Sequence, residues 1–465
     1  MSVAPPPRRD SVTTIGEDGS RRFLFPADSR GPLTRARRAS ALGLIALYAA
    51  LPWIRVGGYP AVFLDVARRR FHLFGLTLAA QDLWLMFFLI TGLGFSLFVV
   101  TALFGRIWCG WACPQTVFLD HVYRRFERWF EGDALARRRL ADAPWGPEKA
   151  ARALAKHGAY LLVSLGVAHV FLAYFVSLPE LWAMMRTGPA AHPGAFLFVG
   201  LATGLAYFNF AWFREQLCII ICPYGRMQSV LTDEHTLVVG YDAARGEPRG
   251  PAGQPGVGDC LACERCVRVC PTGIDIRQGL QLECIGCTAC IDACNEVMRR
   301  VGRPEGLVRY DSQAGFAGRG RRWWRPRLGM YGLLLALGAA AALWAAAGIH
   351  PLLLSATRMV GAPYYVDENF VRDQFLIRVV NKQDHPVRLQ LSLSGLPPGA
   401  AARGCEAPLT VAPMGEEVRP LILEQARAAF RGSFAVRLRA DDGRAVTEAD
   451  RPLEFLGPLP ARDGP

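Results

Sequence analysis

Five apolar stretches, at about residues 41–57, 83–104, 158–178, 195–213 and 328–349, constrain this chain more than any other feature. Each approaches the ~20 residues a helix needs to cross hydrocarbon. Backbone amides and carbonyls inside lipid must find partners within the protein, so such runs fold as helices or closed barrels, and this length selects helices. The first run is the shortest and contains Pro52, which leaves its boundaries the least defined. Composition agrees: 51% hydrophobic against 20% charged residues describes a membrane protein with soluble parts.

The net charge of +13 is carried almost wholly by arginine, with lysine only at 149, 156 and 382. A nucleic-acid binder would cluster that charge on soluble, aromatic-rich surface. Here it flanks the apolar runs, so membrane topology explains it and nucleic acid is not an expected partner. Residues 105–157 hold ten Arg or Lys and 214–327 hold sixteen, while 179–194 hold one. Arg68–Arg70, in 58–82, are the exception. Counting positive charge therefore puts the N-terminus, 105–157 and 214–327 in the cytoplasm and 350–465 outside. Residues 1–40, with Pro5–Pro7 and eight arginines, read as a disordered basic arm. "SRRFLF" (20–25) has the look of a twin-arginine export signal, but the apolar run begins only near Ala41, which favours a topogenic arm.

Thirteen cysteines are too many for a cytosolic enzyme without a metal. Eight lie in one block. "CLACERCVRVCP" (260–271) is Cys-x2-Cys-x2-Cys-x3-Cys-Pro, and "CIGCTACIDAC" (284–294) repeats it without the final proline. This is the two-cluster bacterial ferredoxin pattern, in which the fourth cysteine of each run serves the other cluster. Cys260, Cys263, Cys266 and Cys294 are then expected to hold one [4Fe–4S] cluster, and Cys284, Cys287, Cys290 and Cys270 the second. Zinc ribbons also use Cys-x2-Cys pairs, but they do not need the third and fourth cysteines at these spacings.

Four more thiols form two Cys-x-x-x-Cys-Pro pairs, "CGWACP" at 109–114 and "CIIICP" at 218–223, the first cysteines 109 positions apart. Each follows the second apolar helix of a hairpin, so the two hairpins read as a repeat. On one helix, residues i and i+4 share a face about 6 Å apart, and the proline ends or kinks that helix. If the two helix ends converge, Cys109, Cys113, Cys218 and Cys222 gather near the cytoplasmic surface. Soft thiolates in an apolar setting suit Cu(I) above all, and also zinc or an iron–sulfur cluster; buried cysteine as a small hydrophobe is the plain alternative. Met227, His235 and His121 are softer candidates. His169 lies within an apolar helix, where an ionisable group suggests function or a backbone partner. A haem would need facing ligands such as His157 and His169, and no pattern pairs them.

The last 115 residues change character. "QFLIRVVN" (374–381), "VRLQLSLSG" (387–395), "LTVAP" (409–413) and "GSFAVRLRADDG" (432–443) alternate with period two between turn signals. They suggest an immunoglobulin-like β-sandwich. Fourteen acidic and fourteen basic residues balance there, which fits a spacer or docking module.

The expected whole is a multi-domain membrane protein: a basic arm (1–40), an α-helical four-helix membrane region (41–225), an inserted two-cluster ferredoxin domain (226–320), a fifth membrane helix (328–349) and an Ig-like β-sandwich (350–465). That ordered combination resembles the FixG/RdxA/CcoG family of cytochrome c oxidase accessory proteins, over nearly the whole chain. The resemblance implies a multi-pass protein of the bacterial inner membrane that acts in assembly of a cbb3-type oxidase. It further implies reduction of Cu(II) to Cu(I), a cupric reductase, with the eight ferredoxin cysteines as cluster ligands. Cys109, Cys113, Cys218 and Cys222 match the family's membrane motifs and are the expected catalytic and copper-binding residues; Cys405 matches no motif and reads as core packing. Expected partners are the oxidase or its copper-delivery factors and a cytoplasmic electron donor. Two other classes remain open: a quinol-linked electron conduit to a periplasmic reductase, and a non-enzymatic assembly scaffold or redox sensor.

Overall fold

The computed structural model describes residues 14, 21, 23–78, 82, 84–347, 351–383, 385–443, 446–449 and 451–458. The Pro5–Pro7 run and Arg22 of the twin-arginine stretch lie outside the described residues. The chain forms two compact units, residues 1–55, 59–73 and 83–343, and residues 56–58, 74–82 and 344–465.

Among the described residues four helices are long and apolar enough to cross a membrane: Leu85–Phe104, Pro147–Leu172, Pro193–Phe213 and Pro326–Ala347. Only 11% of the Leu85–Phe104 window is buried, and Phe87, Leu89, Ile90 and Leu93 are all exposed. A helix that is apolar all round yet unburied is suited to lipid as its solvent. Pro147–Leu172 begins well before the expected apolar run, because its first turns carry Glu148, Lys149, Arg152 and Lys156. Tyr123 stacks on Phe210 at 4.3 Å and its hydroxyl meets Ser164 Oγ at 2.8 Å, which ties this helix to the segment after the first thiol pair.

The first expected span differs. Residues 41–50 belong to the helix Pro32–Ala50, which begins inside the arm expected to be disordered and ends before Pro52. Its early turns hold Arg35, Arg37 and Arg38, so it falls outside the set apolar enough to span. The arm from residue 23 onward is tied down instead. Ala27 N–H donates to the Arg268 carbonyl at 2.8 Å. Thr34 gives its N–H and hydroxyl to Asp292 Oδ2 at 2.6 and 2.7 Å. The stretch that holds Arg68–Arg70 forms a hairpin of Val62–Asp65 with Arg70–Leu73.

The ferredoxin region is closed by an antiparallel pair, Val238–Tyr241 with Val308–Asp311. Its two cysteine runs share one backbone path. Positive φ occurs at Ala262 (52°) and Glu264 (55°) in the first and at Gly286 (65°) and Thr288 (63°) in the second. Such paired reversals curl each Cys-x2-Cys-x2-Cys tightly enough to aim its thiols inward. Val239, Ile274, Ile276, Ile291, Met298 and Leu307 form the core around them.

In the second unit two antiparallel sheets face each other. One runs in the order 400–403, 416–426, 370–381, 352–358, and the other 409–411, 387–394, 434–441, 446–448. Phe370–Asn381 buries alternate residues, so Val371, Phe375, Ile377 and Val379 meet Leu389, Leu409, Leu438 and Phe455 in one core. This is the Ig-like region anticipated from the alternation. Cys405 packs half-buried against that core.

Candidate iron–sulfur centres and a four-thiol site

The curled loops gather the eight ferredoxin thiols around two cavities. One is lined by Cys260, Cys263, Cys266 and Cys294, with Tyr241, Leu261 and Met298 among its walls. The other is lined by Cys270, Cys284, Cys287 and Cys290, and Cys266 borders it as well. The first cavity therefore takes Cys294 from the opposite run, and the second takes Cys270, with Cys266 at its border. Burial pushes the Cys266 and Cys284 thiols up to about 12 and the Cys287 and Cys294 thiols up to about 11. Bound iron reverses that penalty by supplying positive charge, and a coordinating thiol then ionises. Backbone N–H groups already aim at the sulfurs, Gly286 at Cys284, Ala289 at Cys287 and Val308 at Cys294. Among the described residues no three His, Cys, Asp or Glu side chains converge on a point fit for a single metal ion. The lining of each cavity supplies the four thiols that a cubane takes.

The thiol pairs follow two of the span helices. Leu85–Phe104 ends at Gly105, with φ 58° and ψ −131°; Pro193–Phe213 ends at Arg214, with φ 54° and ψ −122°. A short helix follows each turn, Ile107–Trp111 and the π-helical Leu217–Ile221. The second cysteines are extended, Cys113 at φ −62°, ψ 126° and Cys222 at φ −63°, ψ 110°. Pro114 and Pro223 then open the helices Pro114–Phe118 and Pro223–Leu231. This corrects the expectation of an i, i+4 helical face. Proline disfavours helical backbone at the residue before it and fits the first helical position, so each motif is a helix break, with its two cysteines on either side of the turn.

The breaks bring all four thiols together. Cys109 has Cys113 and Cys222 as electrostatic neighbours, and Cys218 has Cys109, Cys113 and Cys222. Gln228 Nε2 donates to Cys109 Sγ at 3.4 Å. The N–H groups of Gln115 and Thr116 donate to the Cys113 sulfur. A side chain at Gly225 would begin 3.0 Å from the Cys218 carbonyl oxygen, which explains the glycine after Pro223-Tyr224. Burial raises the Cys109 thiol to about 11 and the Cys218 thiol to about 12. Met227 is exposed. His235 sits 3.7 Å from Glu234, His157 Nδ1 meets the Tyr207 hydroxyl at 2.9 Å, and His169 Nδ1 donates to the Leu165 carbonyl at 2.8 Å. None of these contacts carries a histidine to the thiols. His121 is lowered to about 4 by burial and by the nearby Arg37 guanidinium.

The thiol site and the second ferredoxin cavity abut. A side chain at Gly110 would begin 2.7 Å from the Ile285 carbonyl oxygen and 2.9 Å from the Cys287 nitrogen, and one at Gly286 would begin 3.1 Å from the Arg106 carbonyl oxygen. Arg37 Nε donates to the Gly110 carbonyl at 2.6 Å. The ferredoxin also takes up the last carbonyls of Leu85–Phe104. Thr236 Oγ1 donates to Ala102 at 2.9 Å, Leu237 N–H to Leu103 at 3.1 Å and the Tyr310 hydroxyl to Phe104 at 2.6 Å.

Sequence reasoning missed the carboxylates that hold this junction. Asp120 pairs with Arg37 and Arg124, Glu127 with Arg137 and Arg214 at 2.7 Å each, and Glu215 with Arg21 at 2.6 Å and Arg124 at 3.3 Å. Burial opposes charge on Glu127, but Arg214, Arg137 and the Tyr160 hydroxyl hold it down at about 2. The available signal was acidic residues set inside arginine-rich stretches: Glu127 in "RRFERW" and Glu215 beside Arg214.

Comparison with known proteins follows the same divisions. Residues 213–313 match the 4Fe-4S dicluster domain, 84–132 match a 4Fe-4S binding domain, and 342–458 match the IG-like fold at the C-terminal of FixG. The chain is 34% identical to protein RdxA of Cereibacter sphaeroides over 90% of this chain and 93% of that one. It is 40% identical to nitrogen fixation protein FixG of Rhizobium meliloti over 64% and 58%. Its identity to ferredoxin-type protein NapH of Haemophilus influenzae is 27%, over 56% and 86%. With four membrane-length helices, 4Fe–4S ferredoxin-type domains and this C-terminal fold, the chain is a membrane-associated iron–sulfur protein that belongs to the FixG/RdxA family.

Proposed function

We propose that this protein acts in assembly of a cbb3-type cytochrome c oxidase by reducing Cu(II) to Cu(I), with the oxidase or its copper-delivery factors as partners. Cys260, Cys263, Cys266 and Cys294 would hold one [4Fe–4S] cluster, and Cys284, Cys287, Cys290 and Cys270 the other. Each cluster, when bound, stores one electron at a potential set by N–H···S bonds and exposure. The observation that carries the reading is the seat of Gly110 on Ile285 and Cys287, because it sets the ferredoxin directly against a sulfur-rich site at the end of a membrane helix. Cu(II), as substrate, takes up one electron beside Cys109, Cys113, Cys218 and Cys222. A cytoplasmic one-electron donor restores the protein. Soft sulfur surroundings favour Cu(I) over Cu(II), which pulls the reduction forward. The arginine distribution supports a cytoplasmic ferredoxin and a periplasmic sandwich in the bacterial inner membrane.

A quinol-linked reading has one observation in its favour. A cavity of about 250 Å³ lies among Phe23, Phe25, Trp145, Glu131, Lys156 and His157, with aromatic walls and proton acceptors suited to a quinol ring.

The deciding experiment is anaerobic. The detergent-purified protein is reduced, freed of excess reductant and mixed with Cu(II), while a Cu(I)-specific chelator and the iron–sulfur absorbance are followed together. Absorbance bleaching reversed in step with stoichiometric Cu(I) supports cupric reduction. A protein that stays reduced with Cu(II) but is reoxidised by a quinone analogue supports the second reading instead.

A further inference from the structure

We propose that Cys109, Cys113, Cys218 and Cys222 bind a third [4Fe–4S] cluster, beyond the two of the ferredoxin. The inference stands whether or not copper is the acceptor.

Four observations carry it. First, the donor set is all sulfur: Gln228 reaches Cys109 Sγ at 3.4 Å, Arg106 beside Cys109 bonds the Gly225 carbonyl, and a side chain at Gly225 would begin 3.0 Å from the Cys218 carbonyl oxygen and 4.0 Å from Cys222 Cβ, so the two repeats bring their four thiols to one place. An all-thiolate site suits Cu(I), zinc or iron–sulfur, and the match of residues 84–132 to a 4Fe-4S binding domain favours the last.

Second, the thiol surroundings repeat those of the ferredoxin ligands. Cys113 accepts from the N–H two residues on, at Gln115, as Cys284 accepts from Gly286 and Cys287 from Ala289. Cys113 and Cys222 are followed by proline, as Cys270 is. The Gln228 amide adds a further N–H···S contact to Cys109. Hydrogen bonds of this kind stabilise the anionic charge of a thiolate-bound cluster and tune its potential.

Third, Arg106 stands among the charges acting on Cys109 and is anchored on the Gly225 carbonyl. A fixed guanidinium beside an anionic cluster offsets its charge where lipid and protein supply little other solvation.

Fourth, the match to a 4Fe-4S binding domain spans residues 84–132 and so contains only two of these cysteines, Cys109 and Cys113. Two thiols cannot close a cubane, which takes four. The second repeat supplies Cys218 and Cys222, and Cys222 shares the extended backbone of Cys113.

The test is metal and sulfide content of the full-length protein, purified and reconstituted anaerobically with iron and sulfide. The expected result is about twelve irons and as many labile sulfides per chain, since each cluster holds four. The paired variant Cys109→Ala/Cys218→Ala is expected to fall to about eight, with the spectra of the two ferredoxin clusters retained as evidence that the fold persists. Gln228→Leu keeps all four ligands and is expected to shift one of three electron paramagnetic resonance signals and leave two unchanged. About eight irons in the reconstituted wild type overturns the proposal, whatever the variants do. So does a wild type that holds one copper or zinc per chain, lost in the paired variant with no loss of iron.

Discussion

Gly105 and Arg214 occupy the same turn, four residues ahead of the first cysteine of each pair, at φ/ψ of 58°/−131° and 54°/−122°. Positive φ is a place for glycine and costs an ordinary residue about 1–2 kcal/mol. The first half of the repeat uses glycine, and it has to: a side chain there would begin 2.6 Å from the Leu237 carbonyl oxygen. The second half uses arginine and offsets the strain by pairing the buried guanidinium with Glu127. The fill between the cysteines differs in the same way. Gly110 lets the first half press on the ferredoxin, whereas Ile220 and Ile221 of the second are exposed. A duplicated backbone has thus been divided, one copy fitted against the electron carrier and the other braced from behind by charge.

The sharpest way to break the comparison is to remove the brace. Arg214→Leu leaves Glu127 with a lost partner in a buried site, and such changes cost about 3–5 kcal/mol. The expected outcome is a large drop in the temperature at which the detergent-solubilised protein loses its iron–sulfur absorbance; an unchanged midpoint would show that the arginine is not needed there. Acid should attack the same brace. Glu127 sits at about 2 when folded, below the ordinary carboxylate range, so its contribution is complete above that range. It is lost as pH falls toward about 2. Urea midpoints measured between pH 6 and pH 3 should decline, and Glu127→Gln should flatten the decline while starting from a lower stability.

A third substitution acts on the first half. Gly110→Ala places a methyl group against fixed backbone at Ile285 and Cys287, and overpacking of this kind costs about 1–3 kcal/mol. Transfer of electrons from the ferredoxin to an added acceptor should slow several-fold while iron content stays at the wild-type level, and Ile219→Ala in the matching position of the second half should leave the rate unaltered. Stopped-flow reoxidation separates the two. The smallest effect belongs to Cys405→Ala, in the sandwich and far in sequence from either half. Burial raises that thiol to about 11, and it packs against the sandwich core. Its loss should cost about 1 kcal/mol and leave iron content untouched.

What could be read in advance follows from how local each constraint is. A bacterial ferredoxin takes the ligands of its clusters from Cys-x2-Cys-x2-Cys-x3-Cys runs, so that domain is legible from about a dozen residues at a time. Alternation along 374–381 exposed the sandwich strand Phe370–Asn381 for the same reason. The start of Pro32–Ala50 was hidden because its arginines look like a solvated arm until Asp120 and the Gly110 carbonyl, distant in sequence, come beside Arg37. The break inside each thiol pair was hidden because spacing by four fits an ordinary helix equally well, and only the backbone shows that the second cysteine has left it.

The last three carbonyls of Leu85–Phe104 are taken by Thr236, Leu237 and Tyr310, and this has a consequence for traffic. A carrier on a free tether can swing between a donor and an acceptor, and its rate follows tether length. This ferredoxin is stitched to the end of a membrane helix, so it is a stationary port, and any partner that loads it has to do the travelling.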